Sequence, residues 1–284
     1  MDTQTLTLQE TLLAATAQLG ASSDSARLDA ELLLCHALQK PRSYLFAHAK
    51  DLLDADTASE FRRYLLRRIN AEPVAYITGR KEFWSLQLEV TPATLVPRPE
   101  TECLVQLASE KLAGLVSPVV ADLGTGSGAI ALALASEFPR GRFVATDISE
   151  EALAVAKHNA ARLGIDTIEF RQGDWTTPIA GEMFDIIVSN PPYIRHGDPA
   201  LLALQHEPVS ALSAGPAGLD AISRLIVDCL PLTRPAGWLL LEHGAEQALE
   251  VARLFAQAGW RSIANVSDLA GRPRVTLGRK AADT

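Results

Sequence analysis

The stretch of this chain best suited to chemistry is Asn190-Pro191-Pro192-Tyr193, which follows the apolar run Phe184 to Ser189. A strand ending in this tetrapeptide brings an amide, a fixed carbonyl and an aromatic ring to one edge of a sheet. Pro191 keeps Asn190 out of the helical region, and Pro191 and Pro192 together remove two backbone donors, so the turn is stiff and rich in acceptors. That suits a planar amino group. An sp2 nitrogen conjugated to a carbonyl or ring is a poor nucleophile, and acceptors must draw it toward tetrahedral geometry. The Asn190 side-chain oxygen and the Pro191 carbonyl can each take one N–H, while Tyr193 packs against the flat group and aims its lone pair at an electrophile. The competing reading is a proline-rich turn closing a strand, with Asn190 as a turn former.

A second motif lies upstream. Val119 to Leu123 reads as a short buried strand, Gly124-Thr125-Gly126-Ser127-Gly128 as a glycine-rich turn, and Ala129, Ile130, Leu132 and Leu134 as the helix that follows. This is a nucleotide-type cofactor loop, in which Gly124, Gly126 and Ala129 satisfy the dinucleotide spacing. It also carries Asp122 ahead of the first glycine. A carboxylate there sits badly beside a pyrophosphate and well beside the cationic amino-acid end of S-adenosyl-L-methionine. Asp147, followed by Ile148, ends the next apolar run and is placed to take ribose hydroxyls. Asp174-Trp175 closes a third short strand, where Trp175 can cover adenine. Each piece has a bland counterpart: a plain turn, a helix cap, a core tryptophan. Their order along the chain, ahead of Asn190, joins them into one expected cofactor site.

The elements that must position these residues alternate from Pro97 onward. A helix over 101–113, strand 118–122, helix 129–138, strand 142–146, helix 150–162 and strand 167–171 precede the strand that ends at Asn190. A helix near 218–233, strand 237–242, helix 245–257 and strands 260–266 and 273–279 follow it. Such alternation predicts a parallel sheet, and its ligands bind at the carboxyl ends of the strands. No helix separates the last two strands, so they are expected as an antiparallel hairpin. Ahead of this lies helical sequence. Thr7 with Glu10 predicts a capping box, Leu8, Leu12 and Leu19 follow with helical spacing, Leu28, Leu32, Cys35 and Leu38 continue the period, and another helix runs from about Ala55 to Asn70. The expected division is a helical substrate-docking domain over 1–72, a hairpin linker over 73–97 and a catalytic domain over 98–284.

The chain resembles the PrmC/HemK family of protein-glutamine N5-methyltransferases. The resemblance rests on Asn190 to Tyr193 and the glycine loop. It rests also on Tyr76-Ile77-Thr78-Gly79, Glu82-Phe83-Trp84, Leu95 to Glu102, Glu207-Pro208 with Ala211-Leu212, and Leu241-Glu242-His243-Gly244. It implies an α/β, class I S-adenosylmethionine-dependent methyltransferase fold: a Rossmann-like, mostly parallel sheet with an antiparallel C-terminal hairpin, preceded by a small helical domain. It further implies cofactor contacts at Gly124 to Gly128, Asp147, Trp175 and Asn190, and the glutamine of the Gly-Gly-Gln motif in peptide chain release factors as the methyl acceptor, held by Asn190 to Tyr193 with Arg98 and Glu100. The segment from Arg195 to His206 matches the family least.

Composition sets the outer limits. With 284 residues, 48% hydrophobic and 21% charged, the chain is globular, long enough for two domains, and has no run that could span a bilayer. A net charge of −8 argues against broad affinity for nucleic acid. Arg62-Arg63 and Arg67-Arg68 share a helix with Phe61, Leu65 and Ile69 on its other face, which reads as a solvated surface. Cys35, Cys103 and Cys229 lie far apart, as reduced thiols do, and no histidine spacing suggests a metal. Met1 to Gln4 lacks the features of a signal peptide. A cytoplasmic monomer is expected. Two alternatives stay open: methylation of an adenine or guanine amino group in DNA or RNA, which needs base flipping and a basic groove, and a nucleotide-binding adaptor or dehydrogenase without methyl transfer.

Overall fold

The computed structural model describes residues 6–282, so Met1 to Gln4 lie outside the described residues. The chain divides into two compact units, Met1–Arg80 and Lys81–Thr284.

The first unit is helical: α1 (Leu8–Leu19), α2 (Ala26–Leu38), α3 (Arg42–Ala47), α4 (Ala55–Ile69) and α5 (Val74–Thr78). Thr7 and Glu10 form the expected capping box, with the Glu10 amide donating to Thr7 Oγ1 at 3.3 Å and the Thr7 amide to Glu10 Oε2 at 2.9 Å. Leu12, Leu19, Leu33, Phe61 and Leu65 form the core, and Ile77 of α5 packs into it, so this unit extends past residue 72. The stripe expected on α2 is not the one buried. Leu28 is exposed, while Asp29, Ala30, Glu31, Leu33 and Leu34 face inward. Helical spacing cannot choose between two apolar faces, and ion pairs make this one burial-competent: Glu31 to Arg27 and Arg42, each at 2.6 Å, and Asp29 to Arg68 at 2.8 Å. On α4, Arg63, Arg67 and Arg68 pair with Glu60, Glu72 and Asp29, which leaves little of the basic run available to phosphates.

The second unit opens with a hairpin of β1 (Arg80–Phe83) and β2 (Leu86–Glu89). Its turn residues Trp84 and Ser85 both have positive φ, 51° and 59°, as a tight two-residue hairpin turn requires. Neither is glycine, and hydrogen bonds hold the turn instead: the Trp84 amide to Glu102 at 2.9 Å and the indole N–H to Glu137 at 2.7 Å. Then come α6 (Glu102–Leu112), β3 (Val119–Leu123), α7 (Ala129–Glu137), β4 (Arg142–Asp147), α8 (Glu150–Leu163), β5 (Ile168–Gln172) and β6 (Phe184–Ser189). The chain continues through α9 (Ala200–Ala203), α10 (Asp220–Leu232), β7 (Thr233–Glu242), α11 (Ala248–Gln257), β8 (Arg261–Ser267) and β9 (Pro273–Arg279).

The sheet order is β5-β4-β3-β6-β7-β9-β8. All neighbours are parallel except β7–β9 and β8–β9, which are antiparallel, so the final hairpin inserts β9 between β7 and β8. Helices cover both faces, and β6 is accordingly apolar but for Asp185 and Ser189, with Phe184, Ile186, Ile187 and Val188 all buried. Among the described residues no helix is long and apolar enough to cross a membrane.

One buried polar side chain joins the hairpin to the sheet edge. Asn159 of α8 accepts from the Glu89 amide at 2.7 Å and donates to the Glu89 and Ser127 carbonyls, both at 3.0 Å. It is fully buried, so no water replaces these bonds. Asn159→Ala leaves three backbone groups unpaired and is expected to destabilise the second unit by about 2 kcal/mol or more, a fall in melting temperature of roughly 5 °C. Thermal unfolding of the variant beside the wild type measures it.

Candidate active site

The edge formed by the carboxyl ends of β3, β4, β5 and β6 opens into a cavity of about 300 Å³, within the size range of small-molecule sites. Its wall takes in the glycine loop, Asp147 to Ser149, Gly173 to Trp175, Asn190, Pro192 and the Ala93–Thr101 segment, closed by Pro208, Ser210 and Ala211.

The glycine loop is held from behind. The Gly124 and Thr125 amides both donate to the Thr146 carbonyl at 2.9 Å, the Gly126 amide donates to Asp147 Oδ2 at 2.9 Å, and the Gly128 amide to the Thr125 carbonyl at 2.9 Å. Four donors that a dinucleotide loop would offer to a pyrophosphate are therefore used within the protein. Gly124, at φ 72°, permits a close approach: a Cβ there would lie 3.0 Å from the Trp175 ring. Trp175 thus stands against the loop as part of the cavity wall. Asp147 accepts from Gly126 with one oxygen and from the Ser149 amide with the other, at 3.0 Å, and each oxygen keeps a second acceptor position. Asp147 and Asp174 line the cavity, and the lone cationic side chain among its described lining residues, Arg98, is paired to Glu207. This donor set fits a cationic cofactor with hydroxyls, of the S-adenosylmethionine kind, better than a diphosphate.

Asn190 enters from the end of β6. Its Nδ2 donates to Thr101 Oγ1 at 3.2 Å, which turns the side-chain oxygen away from Thr101 as a free acceptor. The loop beyond is strapped down. The Tyr193 carbonyl accepts from Gln247 Nε2 at 3.1 Å, Ile194 and Ser213 form a parallel bridge, and a Cβ on Gly218 would fall 2.3 Å from the Tyr193 carbonyl oxygen.

Of the residues singled out by sequence, Gly124, Thr125, Gly126, Ser127, Asp147, Ile148, Asp174, Trp175, Asn190, Pro192 and Arg98 reach the cavity wall. Asp122, Gly128, Pro191, Tyr193 and Glu100 do not. Asp122 lies buried under the loop, where Oδ2 accepts from the Thr125 hydroxyl at 2.6 Å and the Ala131 amide at 3.2 Å. Its place is that of a brace for the loop, in contrast to the expected position beside the cofactor's amino group. Gly128 packs against Leu132 and Ala156. The Tyr193 hydroxyl donates to Glu242 Oε1 at 3.3 Å, and this tether holds the phenol out of the cavity. Arg98, expected on the substrate, is occupied by the buried carboxylate of Glu207, whose other oxygen accepts from the Val96 amide at 3.1 Å. Glu207 thereby pins the segment ahead of Pro208 over the cavity.

Glu207, Thr101 and Glu242 lie in segments that carry the family resemblance, but the sequence reading gave none of them a place in the site. Glu242 ends an apolar strand in a carboxylate, the same pattern that singled out Asp147, and that signal could have found it. Glu207 offers no such pattern, being a loop residue whose partner lies 109 residues away.

Burial pushes the Asp122 carboxyl up to about 7, against the opposing pull of Thr125 and Ala131. A carboxyl raised on folding binds its proton more tightly in the native state, so its contribution to stability is present at low pH and is lost as pH rises through the native value. The stability difference between wild type and Asp122→Asn is expected to shift against the wild type between pH about 4 and about 7. Melting temperatures of both proteins across that range test this, and parallel curves would contradict it.

Two family models match the chain: the PrmC N-terminal domain over residues 10–79 and a methyltransferase domain over residues 117–265. The chain is 47% identical over 278 residues to the release factor glutamine methyltransferase of Vibrio cholerae, covering 96% of this chain and 97% of that one. It is 42% identical over 273 residues to the Escherichia coli protein of the same name, covering 95% and 98%. Among solved structures, the hMettl16 catalytic domain bound to a MAT2A 3′UTR hairpin aligns with TM-score 0.60 at 15% identity, over 88% of this chain and 91% of that one. A Pyrococcus furiosus methyltransferase aligns with TM-score 0.52 at 18% identity, over 77% and 98%. At those identities the structural matches speak for the fold, which is that of class I methyltransferases. Similarity of this extent to the two bacterial proteins decides the family: the chain belongs to the release factor glutamine methyltransferases.

Proposed function

We propose that this protein transfers a methyl group from S-adenosyl-L-methionine to the side-chain amide nitrogen of the glutamine in the Gly-Gly-Gln motif of a peptide chain release factor. The observation that carries the reading is Asn190 at the cavity wall, its NH2 engaged by Thr101 and its oxygen left to accept from an incoming N–H. When bound, S-adenosylmethionine supplies a methyl group on a sulfonium already activated for displacement. The remaining tasks fall to the chain. Asp147 has acceptor positions left for ribose hydroxyls, and Trp175 offers a flat apolar face for adenine. Asn190 Oδ1 takes one N–H of the acceptor amide, which aligns the nitrogen and stabilises the positive charge that develops on it. Glu207 and Arg98 fix the segment that closes the cavity and limit water there. The helical unit, which holds no cluster of metal-ligating side chains among its described residues, is assigned to docking of the protein substrate.

Methylation of a nucleic-acid base is disfavoured by the same wall: its lone cation is neutralised by Glu207, whereas a base-flipping enzyme needs unpaired basic side chains along the strand.

Incubation with S-adenosylmethionine and a purified release factor, followed by peptide mass measurement, is expected to place the gain of one methylene on the glutamine of Gly-Gly-Gln. A gain elsewhere, or none, overturns the reading. Asn190→Ala should lower the single-turnover rate by about 10² to 10³, as removal of one preorganised polar group does, while melting temperature and cofactor affinity change little. Asn190→Asp, which keeps an acceptor and loses the donor to Thr101, should fall between. A purely structural turn predicts the reverse, an Ala variant that melts early and methylates normally.

A further inference from the structure

Gln247 stands half-buried in the short turn between β7 and α11, and its side chain works in two directions. Oε1 accepts from the Gly244 amide at 2.8 Å, while Nε2 reaches the carbonyls of Tyr193 at 3.1 Å, Gly218 at 3.2 Å and Ala217 at 3.4 Å. A backbone N–H can only donate and a carbonyl can only accept, so these partners fix which end of the carboxamide points where. The bond from Gly244 is that of a helix cap, in which the glutamine three residues on returns to the amide of the cap residue. Capping uses the oxygen alone. The NH2 is left over, and it goes to the residue that ends Asn190-Pro191-Pro192-Tyr193.

That turn needs a hold from outside. Its entrance is fixed by the end of β6, but Pro191 and Pro192 have no N–H with which to brace it. Gln247 takes the Tyr193 and Gly218 carbonyls with one NH2 group, so the exit of the turn and the chain ahead of α10 are drawn to a single point. The approach leaves no room for a side chain at Gly218, whose φ is 69°: a Cβ there would lie 2.3 Å from the Tyr193 carbonyl oxygen and 3.0 Å from Gln247 Nε2. Gln247 is itself held from the sheet. His243 is fully buried, and its Nδ1 faces the Gly244 carbonyl at 2.9 Å, so that nitrogen carries the hydrogen. Its Nε2 pairs with Thr276 Oγ1 of β9 at 2.8 Å. The grip on Tyr193 is therefore anchored in β7 and β9.

Resting on the function proposed above, we infer that Gln247 is a positioning residue for methyl transfer: acting through the Tyr193 carbonyl, it fixes the exit of the turn whose Asn190 and Pro192 line the cavity. Gln247 does not line the cavity itself. A displacement of about 1 Å at a reacting group is enough to cost a hundredfold in rate. A slack exit therefore falls on turnover, while the glycine loop and Asp147, which belong to β3 and β4, keep their places for the cofactor.

Gln247→Glu separates the two directions. A glutamate caps Gly244 as well as a glutamine does, but its carboxylate has no hydrogen to donate and sets a charge against three carbonyl oxygens. With a purified release factor as methyl acceptor, at a temperature well below melting, Gln247→Glu is expected to lower kcat by about tenfold to a hundredfold. KM for S-adenosylmethionine should stay within about twofold, because the loss spares cofactor binding. Gln247→Ala, which removes donor and acceptor together, should lose kcat over the same range. A role confined to capping predicts a different order, with Gln247→Glu at the wild-type kcat and Gln247→Ala alone impaired. That order, or a rise in KM for S-adenosylmethionine as large as the fall in kcat, overturns the inference. If Gln247→Glu does not fold, Gly218→Ala carries the test: Gln247 stays intact, the new Cβ drives against the Tyr193 carbonyl, and the same loss of kcat is expected, so a wild-type kcat there overturns the inference. Wild-type inactivity toward the release factor would fell the proposed function and this inference with it, whereas an active wild type with an indifferent Gln247→Glu fells the inference alone.

Discussion

The Ser189 hydroxyl donates to the Leu123 carbonyl at 2.6 Å, fully buried and across 66 residues of sequence. This bond ties the last residue of β6 to the last residue of β3, and the site depends on that alignment. The parallel register of the two strands sets Val120 opposite Ile186 and Asp122 opposite Val188. The glycine loop and Asn190 consequently leave the sheet side by side. Because side chains alternate with a period of two, a slip of one residue would send every one of them to the other face. A slip would also break the Ser189–Leu123 bond and put mismatched side chains against the helices on both faces, so the packing that builds the sheet enforces the geometry of the site.

Around that edge the protein spends polar groups on bracing. Asp122 and Asn159 act behind the glycine loop, one beneath it and one through Ser127. Glu207 holds the closing segment, and Glu242 holds the Tyr193 hydroxyl. Three of these four are carboxyl groups, and at Asp122 and Glu242 burial penalises the charged form. Fully satisfied neutral side chains would stabilise a plain scaffold better. Their concentration at one edge of one sheet is the pattern expected when stability is given up for preorganisation of a reacting group.

Much of this was legible in the sequence because the fold announces itself through period. Strands of the β3, β4 and β6 type are continuous apolar runs, helices recur between them, and each expected element lies within a few residues of its place. The cofactor edge was legible for the same reason, since residues at strand ends converge in a parallel sheet. What was not legible depends on tertiary partners. Helix α2 has apolar residues on both sides, and only Arg27, Arg42 and Arg68 decide that its acidic face turns inward. Tyr193 reads as a stacking ring until Glu242, 49 residues on, claims its hydroxyl. Arg98 reads as a free cation until Glu207 neutralises it. In each case a long-range ion pair or hydrogen bond overrides what residue type and spacing imply.

The central claim is that this edge presents an acceptor to the amide of a protein, and that its paired arginine leaves no grip for a phosphate backbone. The most direct measurement supplies tritiated S-adenosylmethionine together with a release factor and an equal mass of duplex DNA in one reaction at physiological salt. The account predicts that the label enters the protein alone, at a rate unchanged by the DNA. Label in the DNA, or slowing of protein labelling by it, would contradict the account.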